Sequence, residues 1–113
     1  MNAKDEFITH TSKANAGVTC ALLTREVLTR EVFDSEYRDY VYVEYILPVG
    51  YTADEYDKFL QKIDFEYDSG FGAQEIFGVV IYDDKSWSER GEYDGSEWWE
   101  YKCLPEIPES CRR

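Results

Sequence analysis

The chain is 113 residues long and sets 24 Asp and Glu against 12 Lys and Arg, a formal net charge of −12, while 17% of it is aromatic. That aromatic content excludes a disordered acidic tail, and the charge repels nucleic acid while suiting a basic partner, typically a protein that itself binds nucleic acid. The length fits a single domain over 1–113, no apolar run approaches the ~20 residues of a membrane span, and Met1-Asn2-Ala3-Lys4-Asp5-Glu6 has no signal core.

Residues 1–18 lack strong periodicity and read as an N-terminal arm, with Phe7-Ile8-Thr9 suited to a short strand and Ser12 to Gly17 to a loop. A tandem pentapeptide follows, Leu23-Thr24-Arg25-Glu26-Val27 and then Leu28-Thr29-Arg30-Glu31-Val32. Two copies are too few for a solenoid. Its Thr and Val content and the turn residues Asp34-Ser35-Glu36 favour a strand, with a helix open for Cys20 to Thr29. Tyr40 to Leu47 is the clearest strand. It is aromatic, β-branched or leucine everywhere except Glu44, which predicts a central strand covered on both faces, with Tyr40, Tyr42 and Tyr45 packing across strands.

Thr52 to Ile63 is the clearest helix. Thr52 and Glu55 fit a capping box, and Tyr51 and Tyr56 a hydrophobic staple. Tyr56, Phe59, Leu60 and Ile63 make one apolar stripe, and Asp54 can pair with Lys58 on the outer side. So short a helix must pack on a sheet to persist. After a loop at Tyr67 to Gly72, a three-stranded meander is predicted over about Glu75–Tyr82, Ser86–Tyr93 and Ser96–Cys103. Asp83-Asp84-Lys85 makes its first turn. Asp94-Gly95 makes the second, because a type I′ turn wants positive φ at both central residues. Pro105 and Pro108 leave 104–113 as an extended tail. The fold class is therefore α+β: a small antiparallel sheet with a C-terminal meander and one packed helix at about 52–63.

The hairpin from Trp87 to Glu100 carries the most unusual pattern. With Asp94-Gly95 at its centre, Tyr93 opposes Ser96, Glu92 opposes Glu97, Gly91 opposes Trp98, Arg90 opposes Trp99 and Glu89 opposes Glu100. Directly opposed like charges cost up to ~1 kcal/mol. Three readings are open, the third being a metal or sugar site, since acids beside tryptophans also occur in carbohydrate sites. In the structural one, Arg90 bridges the acids, stacks on Trp99, and the tryptophans are core. In the functional one, the acids face a basic partner and exposed tryptophans anchor it. Glu92-x-Asp94-x-Ser96-Glu97 lacks the residue order of a calcium loop.

Gly72-Ala73-Gln74-Glu75-Ile76-Phe77-Gly78, the stretch Trp87-Ser88-Glu89-Arg90-Gly91-Glu92-Tyr93-Asp94-Gly95-Ser96-Glu97-Trp98-Trp99, and Pro105-Glu106-Ile107-Pro108 together resemble the C-terminal signature of small accessory proteins of tailed bacteriophages. The N-terminal half takes no part in this resemblance. It implies a phage context and a role in the infected host cell, against a defence system for instance, and transfers no catalytic residue.

Catalytic and metal motifs are missing. Gly70-x-Gly72 lacks the rest of a phosphate-binding loop, and there is no nucleophile elbow, His-Glu-x-x-His or Cys-x-x-Cys. Cys20, Cys103 and Cys111 are too few and too scattered for a disulfide framework, although a Cys103–Cys111 bridge could close the tail. They read as reduced cytoplasmic thiols. His10 reads as a solvated residue of the arm.

These observations lead to a non-enzymatic protein without metal or cofactor. It is expected to inhibit a basic host protein, nucleic-acid-binding or defence-related, by presenting a surface that mimics nucleic acid. The expected partner-binding residues are Asp83, Asp84, Glu89, Glu92, Asp94, Glu97, Trp98 and Glu100. Two other readings are weighed. One is an interaction module anchored by Trp87, Trp98 or Trp99. The other is a nucleotide-sequestering protein using Arg25, Arg30 and Arg38. No direct nucleic-acid or membrane contact is expected, and an edge strand of the meander offers a route to a homodimer.

Overall fold

The computed structural model describes residues 1–30, 39–67 and 74–112. The fold is α+β. Two helices, α1 (Ala3–Ser12) and α2 (Ala53–Lys62), lie on one antiparallel sheet of five strands, β1 (Val18–Arg30), β2 (Asp39–Leu47), β3 (Ile76–Tyr82), β4 (Trp87–Tyr93) and β5 (Ser96–Lys102). The strand order is β2-β1-β3-β4-β5, so the predicted meander supplies one side of the sheet. The turn expected at Asp34-Ser35-Glu36, the end of the pentapeptide repeat and most of the loop expected up to Gly72 lie outside the described residues.

Strand alternation divides the sheet into two faces. Ala21, Leu23, Leu47, Ile76, Val80, Tyr82 and Trp99 are buried on the inner face, where Phe7 of α1 and Phe59 of α2 meet edge to face at 5.3 Å. Burial of that stripe holds α2, which alone would be too short to persist in water. Its N-terminus is fixed by both halves of the capping box between Thr52 and Glu55. Tyr51 stacks on Tyr56 at 5.8 Å, and Lys58 pairs with Asp54 at 3.0 Å, all as the spacing predicted.

Two expectations are corrected, and one open choice is resolved as favoured. Residues 3–12 form a helix, not an arm with a strand at Phe7-Ile8-Thr9. Asn2 caps it by accepting from the Asp5 N–H, and fully buried Phe7 supplies the tertiary contact that overrides the β-branched residues. β2 is an edge strand, not a central one. It is apolar on both faces because its outer side is left bare, with Tyr42 63% and Ile46 61% exposed, so Tyr42 is not a core residue. Cys20 to Thr29 belongs to β1, paired on both sides, which settles the helix-or-strand choice for strand.

The β4–β5 pairing follows the predicted register throughout, from Trp87 opposite Lys102 to Tyr93 opposite Ser96. Asp94 (φ 51°) and Gly95 (φ 84°) both take the left-handed backbone that a two-residue type I′ connection requires. Beyond β5, residues 103–112 are exposed and carry only a 3₁₀ turn at Glu109–Cys111. All three cysteines are free thiols. No described helix is long and apolar enough to cross a membrane.

Candidate functional site: the bare face of the sheet

The inner face at the hairpin holds a buried polar cluster around Arg90, whose Nε alone among its guanidinium nitrogens has no hydrogen-bond partner among the described residues. Arg90, its side chain 1% exposed, donates to Glu6 of α1 at 2.9 Å and to Glu97 of β5 at 2.7 Å. It also donates to the Tyr67 hydroxyl at 3.0 Å, and that hydroxyl donates to Glu6. The guanidinium stands 5.1 Å from the Trp99 ring. Burial opposes its charge, but Glu6, Tyr67 and Glu97 together raise its pKa above the ordinary arginine value. Burial first, then the bond to Glu6, pushes the Tyr67 hydroxyl well above its usual range. Glu97 also accepts from the backbone N–H groups of Glu75 and Ile76, at 2.8 and 3.0 Å. One buried cation thus meets two carboxylates that also accept from the Tyr67 hydroxyl and from the start of β3. This cluster locks α1, β3, β4 and β5 together. It leaves no oxygen of Glu97 for a partner.

That corrects one of the expected partner-binding residues: the Glu97 side chain is fully buried. Trp99 is likewise core, 8% exposed, and is not an interface anchor. The other acids separate along the hairpin. Asp83 and Asp84 sit at the β3–β4 turn, where Asp83 accepts from the Thr19 hydroxyl. Asp84 accepts from the side chain and backbone of Ser86, which hold its carboxyl below the usual range. Glu92 and Asp94 sit at the opposite end, Glu92 accepting from the Gly95 N–H at 3.2 Å. Only Glu89, Trp98 and Glu100 come together, on the outer face at mid-hairpin.

There the indole N–H of Trp87 donates to Glu89 at 2.9 Å and that of Trp98 to Glu100 at 2.8 Å. Lys102 reaches Glu89 at 3.6 Å and Glu100 at 3.9 Å. The register continues this group across the sheet. One row runs Ile46, Leu22, Val79, Glu89, Glu100, and its neighbour runs Cys20, Ile81, Trp87, Lys102. Leu22, Phe77 and Ile81 are 37–41% exposed, and Trp98 is 36% exposed. The described helices cover the opposite face. Sequence reasoning did not single out Leu22, Ile46, Phe77 or Ile81, although apolar residues at successive positions of β1, β2 and β3 carried the signal.

His10 is not solvated. Its ring stacks on Tyr101 at 3.9 Å, and Nε2 lies 2.8 Å from the buried Ser88 hydroxyl, which in turn bonds the Tyr82 hydroxyl at 2.8 Å. Burial first, then the charges of Arg90 and Lys13, lowers its pKa. Among the described residues no acid is hydrogen-bonded to the imidazole, and Ser88 has no exposed surface, so the pair as described lacks the geometry of an activated nucleophile. Arg25, offered as part of a phosphate-binding cluster, instead lies 3.9 Å over the Phe65 ring. The side chains of Arg30 and Arg38 lie outside the described residues. Among the described residues, no group of three or more His, Cys, Asp and Glu is arranged to hold a metal ion.

No protein-family model, curated protein or solved structure matches this chain.

Proposed function

We propose that this is a non-enzymatic protein-binding module that engages a basic partner through the outer face of its sheet. The observation that carries the reading is the combination on that face. Leu22, Ile46, Phe77 and Ile81 are exposed beside two tryptophans whose N–H groups are tied to Glu89 and Glu100. Contiguous apolar surface rimmed by charge marks an interaction site, and tryptophan is a favoured anchor. The phage resemblance adds a setting, with a host protein in the infected cell as the partner.

Nucleic-acid mimicry has less support. β4 is seven residues long, about 20 Å at ~3.3 Å per residue, over which duplex DNA presents about 12 charges. With Glu97 buried, the hairpin and its turns offer Asp83, Asp84, Glu89, Glu92, Asp94 and Glu100, half that density, and Lys102, shared by Glu89 and Glu100, offsets one of those charges. Charge here serves as a rim for aromatic contact.

Capture from host lysate tests the proposal. The wild type is compared with an Ile46→Ser/Trp98→Ala variant and with an Asp54→Asn/Asp57→Asn control on exposed α2, all checked for unchanged melting. A partner kept by the control and lost by the outer-face variant supports the reading. A partner lost only with acid substitutions at the two turns would restore mimicry.

A further inference from the structure

The β3–β4 ladder is incomplete. Val79, Val80 and Ile81 pair with Glu89, Ser88 and Trp87, and there the register stops. Two features explain the opening. Glu97 reaches from β5 to take backbone donors at the start of β3, and the Trp99 ring rests against Gly78, where an added Cβ would lie 3.1 Å from Cη2. The gap is an open slot of about 370 Å³ lined by Gln74, Phe77, Gly78, Val79, Glu89 and Arg90. That lies near the small end of the ~300–1,000 Å³ typical of ligand sites, a scale suited to one inserted side chain.

We propose that this slot takes the side chain of an arginine or lysine presented by the partner polypeptide, an inference that rests on the outer face being the binding surface. Phe77 and Val79 offer apolar walls for an aliphatic stem, as long basic side chains require. Glu89 stands at the wall, with Glu100 directly opposite it on β5 and Trp98 alongside. Both carboxylates are partly exposed, 47% and 40%, and share the single ammonium of Lys102 at 3.6 and 3.9 Å. The pair keeps a net negative charge and spare lone pairs, since each ionised carboxylate can accept about four bonds. An incoming cation relieves the cross-strand repulsion that the isolated sheet carries. Arg90, although it lines the slot, does not repel that cation strongly, because Glu6 and Glu97 both pair with it. The glycine at 91 keeps the neighbourhood open. A Cβ there would fall 2.6 Å from Glu100 Oε1 and 2.8 Å from Trp98 Nε1, displacing the groups that flank the slot.

The test is a titration of isotope-labelled protein with N-acetyl-arginine amide, N-acetyl-lysine amide and N-acetyl-norleucine amide, following the indole signals of Trp87 and Trp98. The two basic probes are expected to give saturable shifts that weaken at least about fivefold between roughly 20 and 300 mM salt, with no saturation by norleucine amide. Glu89→Gln/Glu100→Gln should abolish the response, while the α2 control Asp54→Asn/Asp57→Asn, equal in charge change, should retain it. Equal shifts from norleucine amide, no saturation by any probe, or full retention in the Gln variant would overturn the slot. In each of those cases capture through the outer face can still succeed. Retention of the captured partner by the Ile46→Ser/Trp98→Ala variant would instead overturn the reading beneath it.

Discussion

Truncating Glu97 takes from the buried Arg90 guanidinium one of its two carboxylates, leaving it Glu6 and the Tyr67 hydroxyl, and takes from the Glu75 and Ile76 N–H groups the acceptor they share. Removing one member of a buried ion pair costs about 3–5 kcal/mol, because the survivor stays desolvated. We expect Glu97→Ala to lose about that much in urea denaturation, whereas Asp94→Ala, exposed at the turn, should stay within about 1 kcal/mol. An equal, small effect from both would mean that Glu97 is not the acceptor described. His10 gives a second, pH-dependent expectation. Its pKa is depressed in the folded state, by burial and then by Arg90 and Lys13, while Tyr101, Tyr82 and Ser88 facing it stay neutral at these pH values. A depressed pKa contributes stability above the unfolded value of about 6.5 that is lost as pH falls through the folded value. Melting temperature should therefore drop from about pH 7 toward pH 5, more in the wild type than in His10→Gln. A parallel decline in both would assign the loss to other groups. The sequence held half of this residue-scale picture. Arg90 opposite Trp99 and Glu92 opposite Glu97 could be read from the turn, and alternation puts Glu97 on the face of Trp99. What could not be read was that Glu6 and Tyr67, 84 and 23 positions from Arg90, complete the cluster.

Among the elements, β3 is the one whose backbone admits least change. Gly78 lies where a Cβ would approach the Leu22 carbonyl oxygen to 2.7 Å, a main-chain atom of a paired strand that cannot swing aside. We expect Gly78→Ala to cost about 1–3 kcal/mol through overpacking and to shift the Trp99 fluorescence that reports the contact. A neutral substitution would show that the strands can separate more easily than their pairing suggests. Local chemistry made most elements legible. Thr52 with Glu55, the Asp94-Gly95 turn and the alternation through β3, β4 and β5 are short-range patterns, and the structure follows them within a residue or two. α1 was missed because its reason for being helical is tertiary: only Ala3 and Phe7 are buried, too few to give a periodic stripe. β2 was misplaced because apolar residues on both faces have the same pattern whether they are covered by protein or left bare.

At the scale of the whole molecule, a net charge of −12 on 113 residues sets repulsion against the packing of the core. Screening shortens the reach of that repulsion from ~30 Å at 0.01 M salt to ~8 Å at physiological ionic strength. Melting temperature should accordingly rise as salt increases over that range, and a fall would mean that the exposed ion pairs outweigh the repulsion. The docking of α1 has a different consequence, for synthesis. Glu6 bonds Arg90 and His10 bonds Ser88, contacts spanning 84 and 78 positions. Until β4 and β5 are made, α1 can rest only on Phe59, Phe65 and Tyr67, without the Trp99 ring and the Arg90 and Ser88 bonds that complete its seat, and an isolated helix of this length is marginal in water. A chain stalled before β4 would keep Phe7 against Phe59 but leave its Trp99 side uncovered and the Glu6 carboxylate without its cation, a partly open state that chaperones and proteases recognise, so α1 is fully seated only once β4 and β5 are in place.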